Sequence, residues 1–485
     1  MLIQIKRKKW ILYRHTNDFN LLCKIAKLLK SFSKTTINKS DKEKLNLHLK
    51  KLGLYKERNS LLPLDSISHN INQLSYYMFG YQDKKRGLFM FSPLGSLLLK
   101  HLKNDNYKSK IFLAMLWGFQ FAHPHSSTDK SFNLYPFRLI FKLLCDERLC
   151  GKLYAYEVAL LVVFVQKIDI KIYKKLVDDI LELRNKSNTD IEKLFIADGH
   201  TLVNSAYEWD YYTSEFLSLA GVIKKYKGEV ICKLKQGNTN TFRKITRNYI
   251  EIPDYLLTFT KDLENENSFL QIPLSLDSKD RLKIDIIKEI YSFYPKTLLK
   301  NIGEDNNEGN KYLELPKLIE QYSKNQSNST YNLFENVLCD GFNMFYNVEA
   351  RKLSGAGHTD IECLYITKKK KFAVEAKSTA NKLTLINTSR LREHRDEIGA
   401  KYTIIITPNY VPAAKRDIAG SDNVIILANT FAEFLFNSIS NDIRELDYDL
   451  IDNIIIDNLG DDISEKISTL SLEKFGVISN DKYNQ

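Results

Sequence analysis

The sequence predicts a multidomain α+β protein: a mostly helical N-terminal region followed by an α/β domain built on one central mixed sheet. Three observations lead there. The chain has 485 residues, 44% hydrophobic and 27% charged, a globular mixture long enough for several cores. Helical periodicity with interspersed hairpins fills the first part, and regular alternation of helices and strands follows the polar stretch SKNQSNST at 323–330. The 10 prolines and 19 glycines are too few for long disordered segments.

The formal net charge is +12, a balance common where proteins meet nucleic acid or an anionic membrane surface. It is uneven. The arm QIKRKKW is basic, whereas RELDYDLIDNIIIDNLGDDISEK is acidic, so 441–485 is expected to be an acidic tail and the phosphate-facing surface is expected earlier. The six cysteines form no CxxC pair and no zinc spacing, and are expected to be reduced and structural. The run ALLVVFV at 159–165 is too short for a membrane span and reads as a core helix. The start lacks the apolar core and cleavage site of a signal peptide, so the expected location is the cytoplasm, with no membrane partner.

Residues 1–250 read as a recognition region containing two similar units. In the first, at about 45–105, two helical stretches precede FGYQDKKRGLFMF, read as a strand pair with Lys84, Lys85 and Arg86 at its tip. SPLGSLLLKHL follows as a helix with proline in its first turn. Two helices and a basic hairpin suggest a winged helix-turn-helix, in which one helix enters the major groove and the wing touches the backbone. A hairpin that is merely solvated is the alternative. The middle, 110–195, is helical, and Trp117, Phe119 and Phe121 read as core.

The second unit, at about 200–250, begins with a helix ending at Gly221. IKKYKGEVICKL reads as a hairpin about Lys227-Gly228. In the stretch after it, Arg243, Lys244 and Arg247 are candidate DNA contacts by residue type. Residues 251–325 read as a connector.

The α/β domain is expected over 326–440. YNLFENVLCDGF is a helix that Thr330 can cap, MFYNVEARK a strand, DIECLYIT a second and KFAVEAKS a third. Asp360 opens the second of these strands, and 361–374 separate it from Glu375. That separation suits a strand, a tight turn and a returning strand, so Asp360 and Glu375 converge at one end. Glu375 and Lys377, two apart, share a face. Phosphodiester hydrolysis at neutral pH needs a metal that neutralises charge and activates water. Mg2+ prefers carboxylates, carbonyl groups and water. Asp360, Glu375 and the carbonyl of Ala376 would be its ligands, and Lys377 would orient water or stabilise developing charge. This Asp and Glu-x-Lys arrangement resembles that of PD-(D/E)XK nucleases. A surface hairpin with Glu375 and Lys377 as a charge pair, burying Phe372, Val374 and Ala376, is the alternative. Glu335, on the opening helix, either reaches the same metal or is solvated. Glu362 is a weaker candidate ligand, and Thr379 and Arg392 weaker backbone contacts.

The segments LFENVLCDGFNMF, GHTDIE, FAVEAKST and NVIILANTFAEF resemble the cleavage domain of type IIS restriction endonucleases of the AlwI family. YMFGYQDKKRGLFMFSPLGSLLL, PFRLIFKLL and YTSEFLSLAGVIKKYKGEVICKL resemble their recognition part. The resemblance implies binding of a short asymmetric double-stranded DNA site and Mg2+-dependent cleavage outside it. It also implies pairing of cleavage domains or nicking of one strand, and a companion DNA methyltransferase. Two other classes fit the residues: a DNA-binding regulator with an inactive nuclease-like domain, and a non-restriction nuclease of repair or transposition. No GxxxxGK[ST] motif occurs, so no ATP-driven step is expected.

Overall fold

The computed structural model describes residues 8–12, 15–31, 39–51, 53, 65–83, 88–197, 200–237, 239–277, 283–302, 308–326, 329–353, 357–441 and 443–478. The chain is a mixed α/β protein of two compact units. One takes 1–276, 293–303 and 477–485, and the other takes 277–292 and 304–476.

In the first unit, the helix Asp65–Tyr76 leads into the antiparallel strands Gly80–Asp83 and Leu88–Phe91, paired from Gly80 with Phe91 to Asp83 with Leu88. Val477–Ile478 adds a third strand beside Leu88–Phe91. Lys84, Lys85 and Arg86, read as a basic tip, lie outside the described residues. The helix Pro93–Lys100 starts where the sequence requires it, because Ser92 Oγ accepts from the Gly95 amide and Pro93 occupies the first turn. A Cβ on Gly95 would stand 2.0 Å from the Phe79 carbonyl oxygen, so only glycine lets this helix lie against the strand entry. Trp117, Phe119 and Phe121 are fully buried as expected, Trp117 on the helix Asp105–Gly118 and the two phenylalanines just past its end. The Arg138 guanidinium is buried among them and donates to the Trp117 carbonyl and to Gln271 Oε1.

The second hairpin differs from its sequence reading. Lys224–Tyr226 pairs not with the strand that follows it but with Tyr249–Glu251, and Val230–Lys235 pairs with Phe242–Thr246 as a two-stranded ribbon. Gly228 is the reason. Its amide donates to Asn248 Oδ1 at 2.9 Å, and a Cβ there would meet the Arg247 carbonyl oxygen at 2.2 Å. The glycine is therefore a close crossing of two chain segments and not a hairpin turn.

The second unit has helices α1 (Lys283–Tyr291), α2 (Glu308–Ser323), α3 (Tyr331–Asn343), α4 (Thr388–Ile398), α5 (Pro412–Asp417), α6 (Ala428–Ser440), α7 (Tyr448–Ile456) and α8 (Ser464–Phe475). Its strands are β1 (Val348–Lys352), β2 (Ile361–Tyr365), β3 (Lys370–Ala376), β4 (Thr403–Thr407) and β5 (Asn423–Leu427). They form one mixed sheet in the order β5-β4-β3-β2-β1: β1, β2 and β3 run antiparallel, and β3, β4 and β5 parallel. Both faces are covered. Phe372, Val374, Ile404 and Ile406 pack into one core with α2, α3 and α6. Ile405 and Ile425 pack on the other side with Leu391 of α4 and Ala414 of α5. Gly399 stops α4 with φ +63°, as its position in the sequence predicts.

Two expected boundaries shift. Helix α2 falls within the stretch read as a connector, yet Leu315 and Ile319 belong to the core of this unit. The stretch after 440, read as an acidic tail, carries α7 and α8, whose Ile451, Ile455, Ile467 and Leu470 are core residues. Asp449, Glu465 and Glu473 occupy outer positions of these helices and Asp452 is buried against Lys401, which a charge count does not distinguish from a solvated tail. Thr330 precedes α3 as expected but does not cap it. Its hydroxyl donates to the Tyr322 carbonyl instead.

Candidate active site

The second unit brings together Asp360, Glu375 and Lys377. The register of β2 with β3 ends with Ile361 opposite Val374, so the next position on each strand is Asp360 and Glu375. The Asp360 carboxylate accepts from the Ala376 amide at 2.7 Å, which fixes it against the end of β3. Strand alternation sends Phe372 and Val374 to one face and Glu375 to the other, beside Ile405 of β4. Glu375 is only 1% exposed. The surface-hairpin arrangement, which needs Glu375 in solvent, therefore does not occur.

The electrostatics of the group are unusual for carboxylates. Lys377 Nζ donates to Glu375 Oε1 at 2.5 Å. The other oxygen, Oε2, is buried with no hydrogen-bond partner among the described residues. A buried carboxylate oxygen left without a partner costs at least about 1–3 kcal/mol. Burial first, and then the negative charge of Glu375, raise the Asp360 carboxyl well above the usual carboxylate range, against the Ala376 amide and Lys377, which lower it. A divalent cation between these groups would remove both penalties. Two carboxylates and a neighbouring carbonyl are hard oxygen donors, the set that Mg2+ takes.

Glu335 contributes differently. It lies on α3 close enough to add to the charge on Asp360, but Lys352 of β1 holds its carboxylate at 2.7 Å. Among the described residues, no three His, Cys, Asp or Glu side chains converge as a metal cluster. Lys352 thus belongs to the site environment although the sequence reading passed over it. The signal was present: the last residue of β1 lies beside the start of β2. Glu362 is not a ligand candidate, because Arg351 and Lys371 from the flanking strands hold it at 2.6 and 2.7 Å.

A cleft of about 630 Å³ opens at the carboxyl ends of β3, β4 and β5, the same end of the sheet as Glu375. Its lining includes Lys324, Thr379, Asn381, Thr384, Asn409 and Asn429 together with the carboxylates Glu289 and Glu320. Thr379 is thus beside the site, while Arg392 lies exposed on α4 near Asp396.

In the first unit the three candidate cations separate. Arg247 donates to Asn188 Oδ1 at 3.0 Å and to the Lys186 carbonyl, and pairs with Glu229 at 3.2 Å. Arg243 stacks over the Tyr207 ring at 3.6 Å and donates to Gln236. Both serve internal contacts, and Lys244 alone of the three is exposed.

The family model described as "Type II restriction endonuclease HgaI, N-terminal domain" matches residues 5–267. The curated "Type II restriction enzyme HgaI" of Avibacterium volantium is 46% identical over 477 residues, covering 96% of this chain and 98% of that one. Both name HgaI, and neither names the AlwI family. Among solved structures, restriction endonuclease FokI matches with a TM-score of 0.29 and 10% identity, covering 94% of this chain and 99% of that one. The BpuJ1 endonuclease binding domain in complex with modified DNA matches with 0.37 and 13%, covering 60% and 98%. At such TM-scores these likenesses carry no argument about the fold. The identity to HgaI, which extends over nearly all of both chains, does: the protein belongs to the family of type II restriction endonucleases represented by HgaI.

Proposed function

We propose that this chain is a type IIS restriction endonuclease. It binds a short asymmetric site in double-stranded DNA and hydrolyses phosphodiester bonds outside that site with a PD-(D/E)XK centre that uses Mg2+. The observation that carries the reading is the buried Glu375 of β3 bound by Lys377 just past the strand's end, with Asp360 held beside them. A charged pair in such a place has no role in packing that an apolar pair would not serve as well.

Asp360, Glu375 and the Ala376 carbonyl would hold Mg2+. When bound, the ion supplies positive charge to the phosphate and lowers the pKa of its water. The chain's own residues do the rest. The Ala376 amide keeps the Asp360 carboxylate oriented. Lys377 holds Glu375 in one rotamer and presents an ammonium to the attacking water and the charge building on phosphorus. Lys352 fixes Glu335, so that its charge near Asp360 stays balanced. The cleft beside Thr379 would take sugar and phosphate of the strand being cut.

The recognition part is assigned to the first unit, with its winged-helix-like helix-and-hairpin order around 65–100, and the cutting part to the second. One such centre cuts one strand, so double-strand cleavage requires two cleavage units to pair. A cell carrying this activity needs a companion methyltransferase to shield its own sites, and enzyme and DNA meet in the cytoplasm. Purified protein incubated with plasmid and Mg2+, followed by end mapping, tests the proposal. Discrete ends at a constant displacement from a shared motif are expected. Binding without cleavage under every divalent metal tried would instead favour a regulator with an inactive nuclease-like domain.

A further inference from the structure

The ribbon formed by Val230–Lys235 and Phe242–Thr246 has two unlike faces. Cys232, Leu234, Arg243 and Ile245 point inward, where helices Asn188–Ala197 and His200–Tyr207 pack against the ribbon. The outer face carries Lys233 directly opposite Lys244, and Lys235 directly opposite Phe242. All four are exposed, Phe242 at 64%. Like charges facing each other across two strands destabilise the pairing. Among the described residues, no carboxylate forms an ion pair with any of these three lysines. The neighbouring cations Arg243 and Arg247 are engaged internally, so they do not account for this excess.

We propose that this outer face docks on the sugar-phosphate backbone of double-stranded DNA. Lys233, Lys235 and Lys244 meet phosphates, and Phe242 lies against sugars at the groove edge. The inference rests on the reading of the chain as a DNA-cutting enzyme and adds a contact surface to it. Charge complementarity selects the occupant: three uncompensated ammonium groups on one face of a two-stranded ribbon fit a polyanion, and a two-stranded ribbon fits the width of the major groove. A lysine-phosphate contact carries no sequence information, so the face serves positioning and affinity rather than base choice.

The test uses the full chain, without divalent cation, and a duplex DNA of about thirty base pairs, with binding followed by fluorescence anisotropy as salt is varied. Each lost phosphate contact lowers the slope of log K against log salt by about 0.9. The variant combining Lys233→Gln, Lys235→Gln and Lys244→Gln is expected to lose close to three units of slope and to bind at least tenfold more weakly at low salt. Its melting temperature is expected to hold or rise, because the repulsion between Lys233 and Lys244 is gone. Phe242→Ser is expected to weaken binding with the slope unchanged. An unaltered slope in the triple variant, with wild type binding normally, overturns the docking surface and leaves the endonuclease reading intact. Wild-type protein that neither binds nor cuts DNA overturns both. Should the triple variant melt early, Lys244→Gln alone decides, by a loss of about 0.9 or none.

Discussion

Lys377 Nζ binds one oxygen of the Glu375 carboxylate and leaves the other buried without a partner. The two residues sit two apart, Glu375 on β3 and Lys377 one residue past its end, so the ammonium reaches back to the carboxylate. The pair is half-satisfied, and Asp360 beside it is held above its ordinary carboxylate range by burial and by Glu375. The proposed Mg2+ would relieve both features of this site. Its predictions concern cation binding as much as cleavage.

Mg2+ is expected to raise the melting temperature of wild-type protein in the absence of DNA. Ligand at a hundred times its Kd stabilises by about 2.7 kcal/mol. Glu375→Ala should abolish the shift. A cation titration that moves wild type and variant equally would remove the metal assignment from these residues.

Asp360→Asn keeps an oxygen to accept from the Ala376 amide but loses the negative charge. Cleavage is expected to fall by a factor on the order of a thousand, consistent with loss of one electrostatic group at a reaction centre. DNA binding should persist, and the metal-free protein should melt higher, since the repulsion with Glu375 is relieved. Full cleavage by this variant would refute the site.

Lys377→Ala removes the ammonium and leaves both Glu375 oxygens without it. A loss of cleavage of about a hundredfold or more is expected, with a stability loss of about 1–2 kcal/mol for the stranded carboxylate. Lys377→Arg should recover stability better than activity, because it restores charge without the same reach. Single-turnover cleavage and thermal melts on the same preparations separate the two effects.

Arg247→Ala is expected to lower stability by about 1–3 kcal/mol, because contacts to Asn188, Lys186 and Glu229 are lost together. The salt dependence of DNA binding should not change. A reduced slope with an unchanged melting temperature would return Arg247 to the DNA contacts read from its sequence.

Ile455, fully buried on α7, tests the status of the C-terminal segment. Ile455→Ala should cost about 2–5 kcal/mol, as for a large-to-small change in a packed core. Removal of residues 441–476 should prevent the second unit from folding, as judged by loss of its cooperative melting transition. A dispensable tail would show neither effect.

The sequence by itself determined which residues meet in the candidate site. Asp360, Glu375 and Lys377 were legible because strand periodicity is local: two-residue spacing sets a common face, and a strand-turn-strand length sets which ends meet. The stop at Gly399 and the Ser92-Pro93 helix start were legible for the same reason, each depending on a few adjacent residues.

What only the tertiary structure decided involves partners distant in the chain. Glu335 turns to Lys352, Glu362 to Arg351 and Lys371, and Arg247 to Asn188 and Glu229, so three charged residues with plausible functional readings serve internal pairing. Lys233 stands opposite Lys244 because Val230–Lys235 pairs with Phe242–Thr246, while Lys224–Tyr226 turns to Tyr249–Glu251. A charge in a sequence shows what a residue can bind. Which of its possible partners it meets depends on long-range packing, and that is why the juxtaposition of Asp360, Glu375 and Lys377 could be read from the chain while the internal engagement of Arg243 and Arg247 could not.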